Sequence, residues 1–100
     1  MAQEDPTKVD ANHYTVEHED EQVRVLRARY GPHEKSVMHS HPGLVGVALT
    51  DAHVRFADPE GNTEEIRLKA GESLVMPPTD HLPENLSDTP FEIVLIELKG

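Results

Sequence analysis

The sequence predicts an all-β domain, a barrel or sandwich of roughly eight or nine short strands. Three observations carry that expectation. Apolar and polar residues alternate at the strand period, most clearly from Val23 to Tyr30. Proline, glycine, asparagine and aspartate punctuate the chain at short intervals. No segment sustains a helical period, and neither a glycine-rich phosphate loop nor an internal repeat is present.

The elements follow in chain order. Residues 1–12 are polar and contain Pro6, so they are expected to form an arm, either mobile or pinned across a neighbouring subunit, ahead of a barrel spanning residues 13–100. The acidic group Glu17, Glu19, Asp20 and Glu21 reads as a solvated turn. Val23 to Tyr30 is the first clear strand, Val37-Met38-His39-Ser40-His41 follows, and Leu44 to Thr50 is a valine-rich apolar run. His53–Ala57 and Thr63–Leu68 form a hairpin around Asp58-Pro59-Glu60-Gly61-Asn62, whose proline and glycine supply the backbone angles of a tight reversal. Lys69-Ala70-Gly71-Glu72 turns the chain into Ser73–Met76, which Pro77-Pro78 must end or place at an edge. Phe91–Leu98 is β-branched and aliphatic, which favours a strand buried on both faces.

Composition narrows the function. One hundred residues make one domain. The formal charge of −10, from 19 acidic and 9 basic residues, repels phosphate backbones and anionic headgroups, so neither nucleic acid nor a membrane is an expected partner. The absence of cysteine removes disulfides, thiolate metal sites and thiol nucleophiles together. The first ten residues hold no basic n-region and no apolar stretch, which points to the cytoplasm, and Leu44–Leu49 is far too short to span a bilayer. With only Tyr14, Tyr30, Phe56 and Phe91 as aromatics, a pocket is expected to be aliphatic and imidazole-lined.

The most specific feature is His39-Ser40-His41, answered by His81 at the end of Gly71-Glu72-Ser73-Leu74-Val75-Met76-Pro77-Pro78-Thr79-Asp80-His81. Side chains two apart on a strand share a face, so His39 and His41 offer two imidazoles to one point in space. Three such ligands suit a divalent transition metal: iron, zinc, nickel, copper or, less well, manganese, with positions left open for water or a small-molecule ligand.

With these residues in view the chain resembles the cupin superfamily. Its first motif, Gly-x5-His-x-His-x3,4-Glu-x6-Gly, falls on His39 and His41, with His33 at the leading glycine, Val45 and Gly46 at the two possible glutamate places and Ala52 near the final glycine. Its second, Gly-x5-Pro-x-Gly-x2-His-x3-Asn, meets Gly71, Pro77, His81 and Asn85, with Thr79 for the inner glycine and a proline-to-histidine interval one residue shorter. Over roughly residues 23 to 98 the resemblance implies a double-stranded β-helix, a jelly-roll barrel, with His39, His41 and His81 pointing inward, and a homodimer. The aliphatic last strand suggests the same assembly, having more apolar edge than one subunit covers. The missing glutamate, read as replaced by Val45, raises the positive charge of the site and favours an anionic or enolate-like ligand. A three-histidine centre resembles that of diketone- and thiol-oxidising cupin dioxygenases.

Other residues are weighed against it. Glu97 shares strand parity with Phe91, Ile93 and Leu95 and is a candidate for the missing carboxylate or for a catalytic group. The favoured alternative pairs it with Arg27 or Arg29, which share parity with Val23 and Val25, since a charge inside a barrel should be paired. Glu84 lies on the parity opposite His81. Tyr30 is the other catalytic candidate, a proton donor near the barrel mouth. His13, His18, His33 and His53 read as exposed turn or edge residues, His33 alone, just before the motif, being a candidate to line the site mouth. Asn85 reads as a turn hydrogen-bonder, and Met38 and Met76 as core gap-fillers. The expected function is oxygenase or isomerase/lyase chemistry on a small oxygen-bearing organic molecule; the alternative is a non-enzymatic module that binds a small molecule or a metal.

Overall fold

Alternation of inward and outward side chains builds antiparallel strands and sorts them into two sheets. The protein is described here from a computed structural model covering residues 4–100; Met1–Gln3, the start of the expected arm, lie outside the described residues. A short helix α1 (Pro6–Val9) precedes β1 (Tyr14–Glu19), β2 (Val23–Tyr30), β3 (His39–His41), β4 (Leu44–Ala48), β5 (Ala52–Ala57), β6 (Thr63–Leu68), β7 (Ser73–Met76), β8 (Thr79–Asn85) and β9 (Phe91–Leu98). The larger sheet runs β1-β2-β9-β4-β7 and the smaller β3-β8-β5-β6, the arrangement of a double-stranded β-helix. No helix among the described residues is long and apolar enough to cross a membrane.

The core lies between the sheets. Leu26, Ala28 and Tyr30 from β2, Val54 from β5, and Phe91 and Ile93 from β9 are buried there. On β9 the intervening residues are only half-buried, so the strand shows one core face rather than the two expected. Nor is β9 an edge: β2 pairs with one side of it and β4 with the other, so the apolar edge invoked for a dimer does not exist at this strand.

Turn chemistry positions the site. Gly61 has φ of 90°, a conformation open to glycine without strain, and its amide donates to Asp58 O while Asp58 Oδ1 accepts from Glu60 N and Asn62 N. The expected β5–β6 hairpin therefore forms, with Val54 opposite Ile66.

Two other segments differ from the sequence reading. Glu17 and Glu19 belong to β1 rather than to a turn; the reversal is Asp20-Glu21-Gln22, tied by Asp20 Oδ1 accepting from Gln22 N and Val23 N. Val37 and Met38 stay outside β3, which is only three residues long. Within the expected arm, Asp5 caps α1 by accepting from Thr7 N, Pro6 is buried, and residues 4–12 lie against their own barrel, with Ser40 N donating to Glu4 O.

Candidate metal centre

Strand register assembles the histidines. β3 pairs with β8 so that His39 stands directly opposite His81, and His41, two residues along, returns to the same inner face. Ser40 points outward, where its hydroxyl donates to Asp80. The three ring centroids are 4.8, 4.9 and 5.1 Å apart with the rings near perpendicular, and all three residues are buried. One nitrogen from each lies within 4.8 Å of the others, so the cluster could hold a metal.

Hydrogen bonding fixes which nitrogens are free. His41 Nδ1 faces Glu97 Oε2 at 2.7 Å and His39 Nδ1 faces Val37 O at 2.9 Å, both acceptors, so each ring carries its proton on Nδ1. Nε2 of both, and both nitrogens of His81, are buried with no protein partner. Unsatisfied buried nitrogens are rare, and a shared cation would satisfy three of them, one from each ring. Burial, with the neighbouring His41 adding to it, pushes His39 down to about 4. Burial pushes His81 lower still. Both are therefore neutral near pH 7, the form that ligates.

Glu97 points inward, but its partners differ from those expected. Its Oε1 accepts from Arg24 Nε at 2.8 Å, while Arg27 and Arg29 reach Glu92, and Arg27 also Glu17, on the outer face. The inner parity of β2 is that of Leu26, Ala28 and Tyr30, which puts Arg24 rather than the other arginines beside the core. Burial raises the Glu97 carboxyl, yet the hydrogen bonds from His41 and Arg24 outweigh it and hold the group below the usual carboxylate range. Both oxygens are thus engaged behind His41.

The motif glutamate has no counterpart. Val45 alternates outward on β4, and the inward place is Gly46, where an added Cβ would sit 3.4 Å from Leu95. Leucine and isoleucine fill the space a carboxylate would need.

Tyr30 lies deep in the barrel rather than at its mouth. Its hydroxyl meets that of Tyr14 at 2.6 Å, burial pushes its pKa well up, and His13 stacks on its ring at 4.2 Å. Tyr14 is the residue that reaches the histidines, its ring edge-on to His39 at 5.0 Å. Phe56 stacks flat on His81 at 4.8 Å. Neither was singled out from the sequence: β1 has only one buried residue, so no alternation marks Tyr14. His13 and His53 are largely covered, with side chains 13% and 20% exposed against Glu34 and Glu65, whereas His18 and His33 are open as expected. Glu84 pairs outward with Arg55, and buried Asn85 bonds Gly31 O, Thr89 O and Ser87 N.

The interior beside the histidines is a cavity of about 40 Å³ lined by all four aromatics as well as aliphatic residues, so it is not purely aliphatic. Outside it, a cleft of about 370 Å³ shares Phe56, Met76 and His81 with the interior. These three side chains form the partition between the two spaces.

No protein-family model matches the chain, and no curated protein matches it. Solved structures do. A cupin domain from Bordetella pertussis Tohama I is 32% identical, aligns over 87% of this chain and 92% of its own, and superposes with a TM-score of 0.80. A protein with a double-stranded β-helix domain from Klebsiella pneumoniae is 21% identical over 87% of this chain and 76% of its own, with a TM-score of 0.69. An oxalate oxidase is 20% identical over 77% of this chain and 42% of its own, with a TM-score of 0.60, a likeness of fold alone.

Proposed function

This chain belongs to the cupin superfamily, and on that premise we propose that it is a metal-dependent cupin acting on a small oxygen-bearing organic molecule, by oxygenase or isomerase/lyase chemistry. The observation that carries the reading is the convergence of three buried imidazoles, His39, His41 and His81, each with a nitrogen that has no protein partner. These residues would hold a divalent transition metal: iron, zinc, nickel, manganese or copper. Such an ion supplies Lewis acidity or, as iron, oxygen activation. The chain's own residues do the rest. Glu97 orients His41, Phe56 holds the His81 ring, and the apolar lining excludes bulk water from the inner face. That a cupin barrel also serves as an oxalate oxidase supports redox chemistry within this fold.

A second reading is a module that binds a small molecule or a metal without turnover. Two observations favour its metal-binding form: the interior has room for little more than a water molecule, and Tyr30 and Glu97, the acid–base candidates, are both tied to partners. Iron-loaded protein offered diketones, thiols and catechol-like compounds while oxygen is monitored separates the two. Oxygen uptake abolished by His81→Ala supports the enzyme. Thermal stabilisation by a compound in this panel that is recovered chemically unchanged, without oxygen uptake, supports the binding module.

A further inference from the structure

Glu97 is the only acidic residue among the described residues that is buried, at 2% exposure, and it comes from the sheet opposite the histidines. Oε2 faces His41 Nδ1 at 2.7 Å and Oε1 accepts from Arg24 Nε at 2.8 Å. The rest of the Arg24 fork grips Asp5, Nη1 to Oδ2 at 2.8 Å and Nη2 to Oδ1 at 3.1 Å, and Asp5 is also the cap of α1. An unbroken series of charge-assisted hydrogen bonds therefore runs from the N-terminal segment to one imidazole of the cluster.

The three histidines are not equivalent behind their free nitrogens. His41 has a carboxylate, His39 a neutral carbonyl and a distant hydroxyl, Ser36 Oγ at 3.2 Å, and His81 nothing. A carboxylate behind a ligating imidazole fixes its tautomer and raises its basicity. Resting on the metal reading above, we propose that Glu97 is a positioning residue that keeps the His41 proton on Nδ1 and its bare Nε2 toward the metal. The Asp5–Arg24 clamp keeps Glu97 there, so the N-terminal segment tunes the metal affinity of a site to which it contributes no ligand.

Zinc affinity by chelator competition, together with long-range ¹H–¹⁵N spectra of the metal-free protein, tests this on the full chain. The parent should show His41 protonated on Nδ1. Glu97→Leu should move population to the Nε2 tautomer and weaken zinc about 10- to 100-fold. Glu97→Gln, which keeps an acceptor oxygen, should recover part of both, and Asp5→Asn should weaken zinc by a smaller factor with the tautomer retained. A purely structural cross-link would lower thermal stability and leave tautomer and affinity alone, and that result overturns the proposal. Should Glu97→Leu fail to fold, parent-like zinc affinity in Glu97→Gln and Asp5→Asn overturns it equally. If the parent binds neither zinc nor iron, nickel, manganese or copper, the metal reading falls, while the His41 tautomer in the variants still decides the role of Glu97.

Discussion

His39 and His81 each hold a neutral imidazole away from water, and the free energy of doing so depends on pH. In the unfolded chain they titrate near 6.5, whereas folded His39 titrates at about 4 and His81 below it. Between those values the unfolded state binds more protons, so the contribution is fully present above pH 6.5 and is lost as pH falls through the folded values. We expect melts of metal-free protein to lose on the order of 3 kcal/mol from His39 alone between about pH 6.5 and 4. A flat melting temperature across that window contradicts the burial argument. At the same scale, Tyr14→Phe removes one hydroxyl of the buried Tyr14–Tyr30 pair while keeping the ring edge on His39. The expected loss is about 1 kcal/mol by denaturant titration, with metal content unchanged.

Among the elements, those with a strong local code were legible. The alternation in β2 and the turn residues between β5 and β6 announced a strand and a hairpin, and the His39-x-His41 spacing announced a shared face. Weakly coded elements were not. Five of the six β1 residues are exposed and its register shifts between Val16 and His18, so period-two patterning is absent there. β8 carries Pro83 and polar residues, and takes its strand form from pairing with β3 and β5. The partner of Glu97 was missed because parity on β2 was assigned from the valines; Leu26 and Tyr30, on the other parity, face the core. Gly61→Ala tests the hairpin: at φ of 90° an alanine should destabilise by about 1 kcal/mol, read by thermal melt, without altering the histidines. An unchanged melting temperature would show that the turn relaxes freely.

At the scale of the molecule, the two sheets meet through the core and through the His41–Glu97 contact. The outer face of the larger sheet presents Val25, Ile96, Val45 and Val75 in register across four strands, with Val75 77% exposed. We propose this row, rather than an apolar edge, as the place where a second copy packs in the expected homodimer. Light scattering on an eluting column should report a dimer for the parent and a monomer for Val75→Asp; a monodisperse parent monomer at micromolar concentration removes the dimer. The central claim is that the barrel closes three imidazoles around one metal ion. Elemental analysis of protein purified without a nickel column addresses it directly. About one transition-metal ion per chain is expected in the parent, and close to none in His39→Ala or His81→Ala variants that keep the parent's β-rich circular dichroism. Equal metal content in parent and variants, or metal-free parent that takes up none on incubation with iron, zinc, nickel, manganese or copper, contradicts it.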